Sequence, residues 1–122
     1  MSPGRLQDKV AIVTGGGFGF GEGITIKFIA EGAKVVIVDM NQANGERVAA
    51  AQPQGSAIFI QGDVSSEADW RKIRDGALAK FGRVDIVVNN AGIVYSAVVR
   101  MTGTKRKGRR LVLIKSNPGS PL

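Results

Sequence analysis

Along residues 9–93, short apolar runs alternate with longer stretches in which apolar residues recur every three to five positions. The runs are residues 9–14, 33–38, 57–60 and 84–88. They are rich in valine and isoleucine, whose β-branched side chains pack well on a pleated sheet and lose rotamer freedom in a helix. Each predicts a strand, the first two of them buried. Between the first two, Ile24, Phe28 and Ile29 share a helical face, Glu22, Lys27 and Glu31 are expected toward solvent, and Gly32 stands where a left-handed C-cap stops a helix. Ala43, Val48 and a run of alanines predict a second helix over residues 41–51, broken by Pro53 and Gly55. Trp70, Ile73, Ala77 and Phe81 draw a third apolar stripe, opened by the capping-box spacing of Ser66 and Asp69 and closed by Gly82. On that stripe Trp70 is a core residue.

The resulting order is βαβαβαβ. Right-handed crossovers turn it into an α/β fold, a partial Rossmann-type, doubly wound parallel sheet with helices on both faces. A strand order of 3-2-1-4 leaves the strand over residues 84–88 at an open edge unless residues 111–114 pair with it, and such an edge makes for a marginal, aggregation-prone domain. In this architecture ligands bind beyond the C-terminal ends of the strands.

Composition narrows the chemistry. A chain of 122 residues holds one small domain. Without cysteine or histidine there are no disulfides, thiol nucleophiles, imidazole bases or Cys/His metal sites, so catalysis rests on Tyr, Lys, Ser, a carboxylate or a cofactor. No apolar run is long enough to span a membrane, and the first residues lack the apolar core of a secretion signal; with zero cysteine this leads us to expect a cytoplasmic protein. The net charge of +7 is uneven: residues 1–93 carry ten basic and ten acidic side chains, residues 94–122 seven basic and none acidic. We therefore divide the chain at residue 93, into a Rossmann-like α/β half (1–93) and a basic, irregular tail (94–122) with one candidate strand at 111–114.

The first strand runs into Gly15-Gly16-Gly17-Phe18-Gly19-Phe20-Gly21. Five glycines in seven residues cost much backbone entropy, which a plain strand-helix turn does not require. The G-x-G-x-x-G spacing is absent, and so is the Gly-Lys-Ser/Thr of a P-loop, since the loop continues as Gly-Glu-Gly. Instead, Thr14-Gly15-x-x-x-Gly19-x-Gly21 places glycines where the chain can turn steeply, admit a diphosphate against bare main chain, and bring helix close to strand. Asp39, at the tip of the second strand, is suited to accept hydrogen bonds from both ribose hydroxyls and to repel a 2′-phosphate, which favours NAD over NADP. No cation follows it before Arg47, although Lys9 and Lys34 remain candidates to lie nearer. Asp39 also suits a helix N-cap, and Asp63 an acceptor for the adenine amino group or a turn residue.

Together, Thr14-Gly15-x-x-x-Gly19-x-Gly21, Asp39, Asp63-Val64 and Asn89-Asn90-Ala91-Gly92 resemble the short-chain dehydrogenases/reductases, over about the first third of a typical member. The resemblance implies NAD(P)-dependent oxidation of alcohols or reduction of ketones. It implies that Gly15, Phe18, Gly19, Phe20 and Gly21 line the pyrophosphate, that Asp39 selects NAD, that Asp63 and Val64 meet adenine, that Asn90, Ala91 and Gly92 flank the adenosine ribose, and that Asn89 ties the central strands together.

The family's catalytic Tyr-x-x-x-Lys is missing. Tyr95 is the only tyrosine, Val99 stands four residues later, and Tyr95 follows the Asn-Asn-Ala-Gly segment too closely to take the role. The later strands, the substrate loop and the family's dimerising helices have no counterpart of sufficient length. The change after residue 93 has the character of a gene-model error, frameshift, retained intron or early stop, or else of an internal deletion. The expectation is a dinucleotide-binding reductase fragment inactive by itself, the alternatives being a noncatalytic nucleotide-binding protein and a basic interaction module. Nucleic acid is a poor fit for the tail, because no aromatic residue is interleaved between Lys105 and Lys115 to stack on bases.

Overall fold

The computed structural model describes residues 4–17 and 19–89, together with the backbone of one strand, Val112–Lys115. The elements are β1 (Val10–Thr14), α1 (Gly19–Ala30), β2 (Lys34–Asp39), α2 (Gln42–Ala50), β3 (Ala57–Gln61), α3 (Glu67–Phe81), β4 (Ile86–Asn89) and β5 (Val112–Lys115). They form one parallel sheet in the order β3-β2-β1-β4-β5, a partial Rossmann topology. β5 pairs in parallel with β4 from Ile86 opposite Val112 to Asn89 opposite Lys115, so β4 is an inner strand.

Alternate residues of the central strands serve two cores. Ala11, Val13, Val35, Ile37, Ile86 and Val88 face α1 and α2; Ile12, Val36, Val38 and Val87 face α3 through Trp70, Ile73 and Ala77. Burial on both faces explains why the strands read as unbroken apolar runs rather than alternating ones. α1 contributes little deep burial: only Gly21 and Thr25 are fully buried, while Ile24, Phe28 and Ile29 pack half-buried on the sheet.

Helix ends follow the residues meant to stop them, with two corrections. Gly82 caps α3 in the left-handed region, at φ 80°, and Gly32 ends α1 at φ 95°. Ser66 Oγ accepts the Asp69 N–H, but Asp69 does not complete the capping box. Its carboxylate accepts the Asp63 N–H instead, at 2.8 Å, because the chain enters α3 from a tight turn that carries that amide inward. The second concerns β4, which starts at Ile86 rather than residue 84. Asp85 is buried and turned onto β1: its N–H donates to the Val10 carbonyl (2.8 Å) and its carboxylate accepts the Val10 N–H (2.9 Å). Arg83 closes this corner with two hydrogen bonds to the same carboxylate, at 2.6 and 2.8 Å.

Candidate functional site

Thr14, Asp39 and Asn89 end their strands at the same edge of the sheet, and the turns that follow β1, β2 and β3 gather there. Gly15 turns the chain out of β1 with φ 67°, and both its N–H and that of Gly16 donate to the Val38 carbonyl, at 2.7 and 3.2 Å. The turn is thus bolted to the end of β2. α1 then opens at Gly19, whose φ of 57° needs no side chain, with Gly19 and Phe20 exposed. A helix N-terminus at the end of a parallel strand directs main-chain N–H groups and the positive end of the helix dipole outward, which suits a phosphate.

Gly21 shows why that turn is glycine-rich. A Cβ there would lie 1.9 Å from the Gly15 carbonyl oxygen and 2.5 Å from its carbon, so only a bare Cα lets α1 close on the turn. Thr25 Oγ1 donates to the Gly21 carbonyl (2.9 Å) and holds the first helical turn from inside. Below the site, Thr14 Oγ1 lies 3.2 Å from Asn89 Oδ1 and 3.3 Å from the Val88 carbonyl, a polar tie between β1 and β4.

Asp39 is built into the same unit. One carboxylate oxygen accepts the Gly17 N–H (3.1 Å) and the other the Asn41 N–H (2.9 Å). Each oxygen keeps a further lone pair for a donor from outside. The N-cap of α2 is Asn41, not Asp39: Asn41 Oδ1 accepts the Asn44 N–H at 2.9 Å. After β3, Asp63 Oδ1 accepts both the Ser65 hydroxyl and the Ser65 N–H, and these bonds hold its carboxyl below the ordinary carboxylate range. Trp70 Nε1 donates to the Val64 carbonyl at 2.9 Å, so the core tryptophan also anchors the Asp63-Val64 turn.

Gly15, Gly19, Phe20, Gly21, Asp39, Asp63 and Val64 therefore lie along one sheet edge. Phe18, Asn90, Ala91 and Gly92, together with Tyr95 and the basic stretch from Lys105, lie outside the described residues.

Two residues of this edge carried no sequence signal. Glu22, expected toward solvent, is half-buried and pairs with Arg47 (3.2 Å), whose guanidinium also donates to the Gly17 carbonyl (3.3 Å). They are 25 positions apart, on helices that only the fold makes neighbours. Lys9 and Lys34, in contrast, sit at the opposite end of the sheet: Lys34 begins the strand that Asp39 ends, about 16 Å away at the rise of an extended chain.

The sequence matches the family described as short chain dehydrogenase over residues 9–114. This chain belongs to that family. It is 48% identical over 102 residues to the NADP-dependent (R)-specific alcohol dehydrogenase of Lentilactobacillus kefiri, covering 83% of this chain and 40% of that enzyme. Identity to the 3-beta-hydroxysteroid dehydrogenase of Comamonas testosteroni is 44% over 112 residues, covering 92% and 43%. The structure superposes on 3-ketoacyl-(acyl-carrier-protein) reductase from Brucella melitensis, solved in complex with NADH, with a TM-score of 0.70 and 52% identity over 73% of this chain and 36% of that one. The chain thus spans about two fifths of the length of these relatives. Among the described residues no helix is long and apolar enough to cross a membrane.

Proposed function

We propose that this chain is the dinucleotide-binding portion of a short-chain alcohol or ketone oxidoreductase, that it prefers NAD(H) to NADP(H), and that it does not turn over substrate by itself. The observation that carries the reading is the joining of Asp39 to the glycine turn through the Gly17 N–H, which makes an anion-receptive turn and a ribose-receptive carboxylate one rigid piece. The site fits the cofactor on the chain's own terms. Glycine is sterically required where α1 meets the turn, a helix N-terminus at that place suits a phosphate, and the Asp39 oxygens retain acceptor capacity.

In this reading Gly15, Phe18, Gly19, Phe20 and Gly21 border the diphosphate and Asp39 takes the two ribose hydroxyls. Asp63 offers its second oxygen to the adenine amino group beside Val64, and Asn90, Ala91 and Gly92 border the adenosine ribose. A 2′-phosphate would bring like charge against Asp39, which is the basis of the NAD preference. Bound nicotinamide supplies hydride exchange with a carbon centre. The chain must supply the accompanying proton, and here it falls short: its one tyrosine, Tyr95, has valine rather than lysine four positions on. A cytoplasmic location accords with the lack of cysteine.

Titration of the full chain with NADH and NADPH, followed by cofactor fluorescence, tests the reading. Submillimolar NADH binding, tighter than NADPH, is expected. Affinity no better than millimolar for both removes the cofactor function, and substrate-dependent NADH oxidation that survives Tyr95→Phe removes the claim that proton chemistry is missing.

A further inference from the structure

A cation stands at the rim of the site. Gly17 is gripped on both sides of one residue: Asp39 accepts from its N–H and Arg47 donates to its carbonyl. One residue's length separates those contacts, so the guanidinium lies within about 10 Å of the carboxylate proposed to hold the ribose. An arginine this close is ordinarily an asset for a phosphate, because its planar fork matches phosphate oxygens. Here the fork is occupied. Glu22 takes both terminal nitrogens, at 3.2 and 3.4 Å, and the Gly17 carbonyl takes one of them again.

We propose that Glu22 is a specificity-determining residue: by pairing with Arg47 against the glycine turn it withholds from a 2′-phosphate a cation at the rim of the ribose end of the site. The inference rests on the dinucleotide reading above but goes beyond it. Discrimination against NADP(H) then has two parts, repulsion by Asp39 and withdrawal of Arg47. The second is set by a residue on α1 that touches no part of the ribose. Packing adds to the constraint. A Cβ on Gly17 would lie 2.8 Å from the Gly45 nitrogen and 3.0 Å from Asp39 Oδ2, so Gly17 is pressed against α2, the helix that carries Arg47 two residues beyond Gly45.

The test measures the ratio of NADPH to NADH affinity in the full-length chain by fluorescence titration, with melting temperature as a check on folding. The ratio matters because both ligands share the diphosphate, so a gain felt there cancels and only a gain at the 2′-phosphate remains. Glu22→Gln, at a partly solvated position, is expected to raise the ratio roughly threefold to fivefold at low ionic strength, the size of an exposed ion pair, and less at high salt. The double variant Glu22→Gln/Arg47→Gln is expected to return the ratio to that of the parent. Intact NADH binding with an unchanged ratio in Glu22→Gln overturns the inference while leaving the cofactor reading in place. A raised ratio that persists in the double variant also overturns it, by showing that Glu22 acts through its own charge. A parent chain that binds neither dinucleotide overturns the cofactor reading, and the inference with it.

Discussion

Substituting alanine at Gly21 adds one methyl group where the structure has no room for it. The new Cβ would stand 1.9 Å from the Gly15 oxygen, 2.5 Å from the Gly15 carbon and 2.9 Å from the Gly16 Cα, all of them main-chain atoms. Relief to van der Waals distance requires helix and turn to part by roughly 1 Å or more. Neither side yields cheaply. The turn is held by the Gly15 and Gly16 bonds to the Val38 carbonyl, and the helix by Ile24 and Phe28 on the sheet. Overpacking of this kind costs about 2–3 kcal/mol, which in a domain of this size lowers the melting temperature by about 10 °C or more. The same displacement spoils the alignment of the first-turn amides, so NADH affinity should fall at least about tenfold, the equivalent of about 1.4 kcal/mol. Gly23→Ala is the control: no atom lies within 4 Å of its added Cβ, on an exposed part of the same helix, and removal of glycine flexibility should stabilise by about 0.5–1 kcal/mol. The pair is read by thermal denaturation and NADH titration in parallel. If Gly21→Ala melts as high as the parent and binds NADH as well, the close approach of α1 to the turn is not what makes the site.

Asp39→Ala should weaken NADH by about tenfold and NADPH by less, because it removes a hydroxyl acceptor for one ligand and a like charge for the other; equal losses in isothermal titration would refute the ribose assignment. Asp85 gives a pH prediction. Burial pushes its carboxyl up, but the hydrogen bonds from Arg83 and from the Val10 N–H, with the charges of Arg83 and Lys9, outweigh this and hold it below the usual range. A lowered folded-state value means that the carboxylate contributes stability above the unfolded pKa of about 3.9, and loses it as pH falls through the folded value. Asp85→Asn should therefore cost about 2–3 kcal/mol at neutral pH and flatten the acid limb of a melting-temperature profile below about pH 4; an unchanged acid limb would show that Asp85 does not set it. Trp70→Phe keeps most of the apolar volume but removes the bond to the Val64 carbonyl, so a loss of about 1–2 kcal/mol with faster amide exchange around Asp63 and Val64 is expected by hydrogen-exchange measurement.

The alternation of β-branched runs with amphipathic stretches was enough to determine the element order, the parallel sheet and the helix stops at Gly32 and Gly82, because each depends on a local property: rotamer freedom, periodicity or tolerance of positive φ. It also put Asp39 and the glycine turn at strand ends, where an α/β chain delivers its ligand groups. Contacts between groups distant in the chain were beyond its reach. The Glu22–Arg47 pair spans 25 positions, Asp85 reaches β1 across 75, and the bond that ties Gly17 to Asp39 joins the loops of two different crossovers. Even the failed capping box at Ser66 is of this kind, because Asp69 is drawn to the Asp63 amide by the way the chain arrives from β3. Local sequence sets what each segment prefers, whereas pairing among charges and turn amides depends on which segments the sheet order makes neighbours. At this site the tertiary structure decided which acid faces the turn, which cation is held against it, and where glycine alone will fit.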